Sequence, residues 1–282
     1  MNIDIICPLY NAKHYIKDLH HNILKQKNIT INSINYIVTE TNDGIQKILD
    51  SLENLRYDVI NKEEFSHSLT RELYARKCDG DILVFITQDI IIEDEKWLYN
   101  LTRPIIDNEC EASYSRQLCS FNNMEKYTRE KNYPEKSLIK TKDSISELGL
   151  NTFFYSDASS AIRKDIFLLL NGYDGKKLPT NEDMYIAYKL IMAGYRIKYC
   201  SDSVVIHSHD FTLKETYERY KTYGQFFKQE PYINQFGTNK KGAGMASYIL
   251  KRAIQDKNLK VLIKFIPNMI ARFIGMKVGQ RI

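Results

Sequence analysis

The sequence has no run of 18 or more uncharged apolar residues, so no segment of it is expected to span a bilayer as a helix. Its N-terminus, MNIDIICPLY, lacks a basic stretch followed by a long apolar one, and no secretory signal is expected. Cysteine is sparse: five residues (Cys7, Cys78, Cys110, Cys119, Cys200), an odd number, widely spaced and without a CxxC pair. That argues against a disulfide framework or a zinc site and fits a reducing cytoplasm. Internal repeats and low-complexity segments are also missing, and one tryptophan beside 20 tyrosines decides nothing by itself. What is present is ordinary globular material: 282 residues, 43% hydrophobic and 27% charged. Disordered and fibrous classes are excluded, and the length suffices for one large domain or two small ones. The expectation is a cytoplasmic globular protein.

Charge is unevenly placed. The net charge is +5, yet from Lys240 onward ten Lys/Arg face a single acid, Asp256, which leaves residues 1–239 mildly acidic. A basic tail on an acidic body points to an anionic surface. The tail has few aromatics for base stacking, which speaks against nucleic acid. Within LKVLIKFI (259–266), Leu259, Leu262, Ile263 and Ile266 share one helical face. Pro267 is a favourable first residue for a further helix, in which Met269, Ile270, Phe273 and Ile274 extend the stripe. Lys260, Lys264, Arg272 and Lys277 surround it. Such a stripe either packs on the rest of the chain or on a second subunit, giving a homodimer, or lies on anionic lipid. The charge surplus favours peripheral association with the cytoplasmic membrane face.

Apolar runs at Ile3–Cys7, Ser33–Thr39 and Asp81–Thr87 read as buried strands. They alternate with helical spacing at Tyr15–Leu24, 45–55 and Thr70–Lys77, the last capped near Ser66–Ser68. This β-α-β-α-β order predicts an α/β fold, a mostly parallel sheet with helices on both faces. Ligands then sit at the strands' carboxyl ends, here Pro8–Asn11, Thr39–Asp43 and Thr87–Asp89. Residues 111–150 are polar and weakly periodic and read as extended loop and short helix. Helices follow at Lys164–Leu170 and Glu182–Ala193, late strands at Ile197–Cys200 and Val204–His207, and an aromatic-rich helix at 213–229.

Four groups carry candidate chemistry. Asp89 directly follows the strand ILVFIT, where a carboxylate either meets a hard divalent cation or caps the next turn. Glu182 and Asp183 open a helix. Spacing alone favours acids stabilising its N-terminus, and the alternative is a carboxylate base. His207 and His209 share a strand face and suit a metal or a phosphate, or simply solvent. Arg71 either grips a pyrophosphate or pairs with an acid such as Glu72.

Their order decides more than any one of them. The series PLYNA (8–12), VTETND (38–43), FSHSLTRE (65–72), GDILVFITQD (80–89), SRQL (115–118), NYP (132–134) and SDASSAIRKDIF (156–167) continues through NGYD (171–174), NEDM (181–184) and VVIHSHDFTLKETYERY (204–220). It resembles the inverting nucleotide-sugar glycosyltransferases of family 2, with the GT-A fold, and more narrowly the bacterial rhamnosyltransferase branch. The resemblance implies a GT-A domain over 1–210, with a nucleotide-sugar-binding half (1–110) and an acceptor-side half (111–210), and a C-terminal helical extension over 211–282. It implies a donor pocket from Pro8, Tyr10, Asn11, Glu40, Asp43, Arg71, Gln88 and Asp89, and a catalytic Glu-Asp motif at Glu182 and Asp183 with Asp183 as base. Divalent Mg²⁺ or Mn²⁺ would be held by Asp89, His207 and His209. The sugar or acceptor would meet Arg116, Gln117, Tyr133 and Asp157. In the family's Asp-x-Asp motif the first Asp is here Thr87, as in the rhamnosyltransferase branch. The implied activity moves L-rhamnose from dTDP-L-rhamnose onto a cell-surface polysaccharide or lipid-linked saccharide precursor. A UDP-hexose or UDP-hexosamine donor, and an inactive carbohydrate-binding scaffold, are the alternatives.

Overall fold

In a computed structural model, the description covers the backbone of residues 1–282 and every side chain except those of 238–241. The apolar runs become the parallel half of a sheet: β1 (Ile3–Leu9), α1 (Ile16–Leu24), β2 (Ile31–Thr39), α2 (Ile45–Leu49), β3 (Arg56–Ile60), α3 (His67–Lys77) and β4 (Ile82–Ile86). β1 pairs in parallel with both β2 and β4, setting Ile5 opposite Ile34 and Val84. In β4 every residue is buried. Leu83 and Phe85 enter the core on one face, and Ile82, Val84 and Ile86 the core on the other. Each such side chain contributes about 1.5–3 kcal/mol, so β4 anchors the sheet. Ser66 caps α3, its hydroxyl accepting from the Leu69 N–H at 3.3 Å.

The chain continues through α4 (Trp97–Ile106), β5 (Ala112–Leu118), α5 (Met124–Asn132), β6 (Leu138–Lys140), α6 (Ile145–Leu148), β7 (Ser159–Arg163), α7 (Lys164–Leu169), α8 (Glu182–Met192) and β8 (Ile197–Ile206). Eight strands form one sheet in the order β3-β2-β1-β4-β7-β5-β8-β6, with β7 antiparallel to both β4 and β5. Helices cover both faces, as the alternation of elements predicts.

The expected loop at 111–150 is corrected by β5, an internal strand. It is polar because one of its faces buries a hydrogen-bonded network instead of a hydrocarbon layer. The Ser115 hydroxyl lies 2.6 Å from that of Ser159 and 2.7 Å from that of Ser203, and the Trp97 indole N–H reaches Ser159 at 3.0 Å. Ser113 donates to the Leu101 carbonyl at 2.6 Å. Satisfied polar groups cost little to bury, and hydropathy does not register them. The two late strands are one, β8, whose register jumps from Cys200 opposite Ser115 to Val204 opposite Arg116. The helix expected over 45–55 stops at Leu49, and β3, an exposed edge strand, follows it.

The C-terminal extension folds as α9 (Leu213–Gln229), α10 (Pro231–Asn234), α11 (Thr238–Gln255) and α12 (Leu259–Gly279). Pro267 lies inside α12 and does not start a new helix. α9 and α12 press backbone to backbone. A Cβ on Gly279 would fall 1.9 Å from the Lys221 carbonyl oxygen, one on Gly275 2.4 Å from that of Tyr217, and one on Gly224 2.4 Å from that of Met276. Within the extension, α12 is therefore docked on α9. No helix among the described residues is long and apolar enough to cross a membrane.

Candidate active site

The carboxyl ends of β1, β2 and β4 are stitched together by side chains. The Gln88 amide accepts from the Tyr10 N–H at 2.7 Å and donates to the Tyr10 carbonyl at 2.8 Å. Asn11 adopts a left-handed conformation (φ 51°) and accepts from the Thr41 hydroxyl at 2.5 Å. One Asp43 oxygen accepts from the Lys13 N–H and the other from the Ile45 N–H, both at 3.1 Å. Pro8 is half-buried, Glu40 is exposed, and the Tyr10 ring stands 45% exposed with the Lys62 ammonium 5.5 Å from its centre. The result is a fixed shelf with one free aromatic face.

Next to it, a backbone bridge between Ile91 and Ile206 ties the turn after β4 to the end of β8. Asp89 and His207 follow those two strand ends and so become neighbours. Asp89, His207 and His209 offer one carboxylate oxygen and two imidazole nitrogens within 4.8 Å of one another. His207 Nε2 lies 3.4 Å and His209 Nδ1 3.9 Å from Asp89 Oδ2. Burial alone would raise the Asp89 carboxyl. In acid, where the histidines are protonated, the hydrogen bond and charge of His207, then the charge of His209, outweigh it and hold Asp89 well below the ordinary range. Burial lowers both histidines, His209 to about 4.

His207 is oriented from behind. Its Nδ1 lies 2.9 Å from Gln117 Oε1, which also accepts from the Arg129 guanidinium and so is the amide oxygen; this nearer acceptor, against an Arg129 N–H at 3.4 Å, assigns the proton to Nδ1. Neutral His207 then turns the Nε2 lone pair toward the Asp89 carboxylate. Two acceptors facing each other call for a cation between them, and this mixed N/O set fits a divalent metal. Gln117 is fully buried and donates to the Ser156 hydroxyl at 2.8 Å. It has no surface of its own at the site and acts through His207, Arg129 and Ser156.

At the N-terminus of α8 the two acids part company. Asn181, left-handed at φ 56°, turns the chain into the helix. Glu182 points inward, where Arg71 Nη1 donates to its Oε1 at 3.1 Å. Arg71 is 2% exposed, and its Nε lies 4.0 Å from Asp157 Oδ2. Glu72 pairs instead with Arg76, at 2.8 Å. Arg71 is therefore turned to the acids and not to the shelf around Tyr10. Asp157 is itself buried, accepting from Ser160 at 2.7 Å and Tyr173 at 2.9 Å. Asp183 points the other way and lines a cavity of about 300 Å³ with Arg129, Tyr133, Ser156, Arg219, Tyr220 and Arg272, among others. Burial, then the charges of Glu182 and Asp157, raise the Asp183 carboxyl well above its ordinary value. Arg116 lies apart, pairing with Glu135 at 3.3 Å.

Of the cavity's lining, Arg129 lies outside the linear motifs, Arg219 falls within VVIHSHDFTLKETYERY but has no role assigned there, and Arg272 reads from sequence only as one of the basic residues around the tail stripe. The hint was the aromatic helix 213–229, whose Tyr220 and Tyr223 flank the same space.

A family model described as "Glycosyl transferase family 2" matches residues 4–169, more than half of the chain. The chain belongs to glycosyl transferase family 2. It is a nucleotide-sugar glycosyltransferase of rhamnosyltransferase-like type. It is 33% identical to the O-antigen chain rhamnosyltransferase RfbN of Salmonella typhimurium, covering 99% of this chain and 90% of that one. It is 32% identical to the O-antigen chain rhamnosyltransferase WbaN of Salmonella anatum, covering 98% and 88%. In fold, the glycosyltransferase is similar to the mannosyltransferase PcManGT of Pyrobaculum calidifontis, solved with GDP-Man and Mn²⁺ (TM-score 0.64, 14% identity, 99% of this chain, 86% of that one). It is likewise similar to S. aureus TarS 1-349 with UDP-GlcNAc (TM-score 0.57, 13% identity, 100% and 92%). These likenesses establish the GT-A architecture.

Proposed function

We propose that the chain transfers L-rhamnose from dTDP-L-rhamnose, with inversion, to a hydroxyl of a cell-surface polysaccharide or lipid-linked saccharide precursor. The donor reading is supported by the names of the two near-full-length relatives. The catalytic reading is carried by one observation: Asp183 lines the cavity with a carboxyl whose proton affinity is raised by burial and by Glu182 and Asp157. A weak carboxylate is inert toward a hydroxyl, and a raised one is matched to taking its proton.

The acceptor oxygen attacks the anomeric carbon as the bond to the diphosphate oxygen breaks. The hydroxyl proton passes to Asp183, and the nucleoside diphosphate departs on the other side. One carboxylate suffices because the displacement is single, unlike the two-carboxylate retaining scheme. Glu182 and Arg71 act as positioning residues that fix the start of α8. Asp89, His207 and His209 hold Mg²⁺ or Mn²⁺, which when bound supplies positive charge against the departing diphosphate. Pro8, Tyr10, Asn11, Glu40, Asp43 and Gln88 form the nucleobase shelf. Residues 1–110 serve the donor, 111–210 the acceptor, and 211–282 roof the site.

The test is a transfer and donor-hydrolysis panel with Mn²⁺ across dTDP-rhamnose, UDP-hexoses and UDP-hexosamines. Turnover of dTDP-rhamnose at least tenfold above the others is expected. Preference for a UDP-sugar overturns the donor, and turnover of none supports a carbohydrate-binding scaffold.

The exposed side of α12 supports a second reading, a peripheral seat on the cytoplasmic membrane face. Leu259, Ile263, Ile266 and Phe273 are 64–77% exposed along one stripe flanked by Lys260, Lys264 and Lys277, while Val261 is buried. Flotation with anionic liposomes is expected to recover the wild type and lose an Ile263→Glu, Ile266→Glu variant. Equal loss of both proteins, with a doubled solution mass for the wild type alone, assigns the stripe to a homodimer.

A further inference from the structure

β5 carries a glutamine into the interior behind the Asp89–His207–His209 cluster. Gln117 is fully buried, and Arg129 and His207 beside it are buried too. The Gln117 amide cannot turn over. Its oxygen accepts from Arg129 Nη1, and its nitrogen donates to the Ser156 hydroxyl at 2.8 Å. Reversed, it would set an N–H against the guanidinium, donor against donor. Arg129 is itself anchored, its Nε 2.9 Å from Glu125 Oε1.

His207 Nδ1 therefore meets two fixed neighbours of opposite kind. The Gln117 amide oxygen, which can only accept, lies 2.9 Å away, and Arg129 Nη2, which can only donate, lies 3.4 Å away. A neutral imidazole carries one proton, so each neighbour favours a different tautomer. Facing the oxygen, Nδ1 keeps the proton and Nε2 offers a lone pair. Facing the guanidinium alone, Nδ1 would keep the lone pair and the proton would pass to Nε2, 3.4 Å from Asp89 Oδ2. That N–H would bond the carboxylate and stand where a shared cation must sit.

Resting on the cation-site reading above, we propose that Gln117 is a positioning residue that selects the cation-binding tautomer of His207 against the opposing pull of Arg129. Its role then lies behind the cation, and not at the sugar or acceptor. Outer partners that orient a ligating histidine typically carry 10–100-fold in metal affinity.

Two readouts on the full chain test this, neither of them activity. Mn²⁺ affinity is read from the electron spin resonance of the free ion, and the His207 tautomer from histidine ¹⁵N NMR in EDTA. The wild type should carry Nδ1–H. Gln117→Leu, which removes the oxygen and leaves Arg129, should carry Nε2–H and bind Mn²⁺ about 10–100-fold more weakly. Gln117→Glu keeps an acceptor and should bind no more weakly than the wild type. Arg129→Met should recover part of the loss when added to Gln117→Leu, and by more than it changes the wild type, where removing a nearby positive charge is also felt. Circular dichroism and melting of each variant report folding. An Nε2–H in the wild type overturns the proposal without any variant, and so does unchanged Mn²⁺ affinity in folded Gln117→Leu. Equal gains from Arg129→Met in both backgrounds reduce Arg129 to a nearby charge and overturn it too. Wild-type Mn²⁺ binding that is indifferent to Asp89→Ala instead sinks the cation-site reading, and the selecting role of Gln117 with it.

Discussion

Asp89, the proposed cation ligand, and Asp183, the proposed base, are driven in opposite directions. Asp89 is set among imidazoles, which outweigh its burial and hold its carboxyl low. Asp183 is set among carboxylates, which add to its burial and raise it. One acid is thus kept ionised, as the proposed cation ligand would have to be, and the other is kept eager for a proton, as the proposed base would have to be. Neither behaviour belongs to the aspartate side chain itself. Both come from what the fold brings alongside, through the Ile91–Ile206 bridge in one case and the start of α8 in the other.

The comparison breaks most severely at Arg71, the cation that compensates Glu182 and Asp157 beneath Asp183. Arg71→Gln leaves two buried acids without it and is expected to cost about 3–5 kcal/mol of stability, read from the urea midpoint at neutral pH. A loss under about 1 kcal/mol, the scale of an exposed ion pair, would show that the cluster does not hold the site. Next, Asp89→Ala should weaken dTDP binding in Mn²⁺ by roughly tenfold or more, about 1.4 kcal/mol. Binding that ignores both the substitution and EDTA removes Asp89 from the metal site. The subtlest change is Glu182→Gln, which deletes the largest neighbouring charge that raises Asp183 and frees Arg71 to draw it down. A lower Asp183 pKa keeps the base ionised to lower pH, so the acid limb of kcat/KM should move downward. An upward or absent shift would deny that Glu182 tunes Asp183.

The parallel half of the sheet was legible because β1, β2 and β4 are apolar runs ending at polar turns. β5 was not, because Ser113, Ser115 and Gln117 are buried by hydrogen bonding and read as loop. The neighbours Glu182 and Asp183 look equivalent in NEDM. Only the left-handed turn at Asn181 and the buried Arg71 send one inward and leave the other at the cavity. Arg219 and Arg272 are 53 positions apart and meet at the cavity because three glycines let α9 and α12 touch, a tertiary event with no linear motif. Pro267 likewise reads as a helix start and is absorbed within α12.

The central claim is that Asp183 receives the acceptor proton, and Asp183→Asn tests it most directly through the transfer rate at saturating donor and acceptor. The variant keeps the shape of the side chain and removes its basicity. It should also melt no lower than the wild type at neutral pH: a raised carboxyl pKa costs the folded state stability once pH exceeds the unfolded value, and asparagine does not ionise. A fall in kcat of about 10²-fold or more is expected, with dTDP–Mn²⁺ affinity unchanged. A near wild-type kcat in a folded Asp183→Asn protein would contradict it.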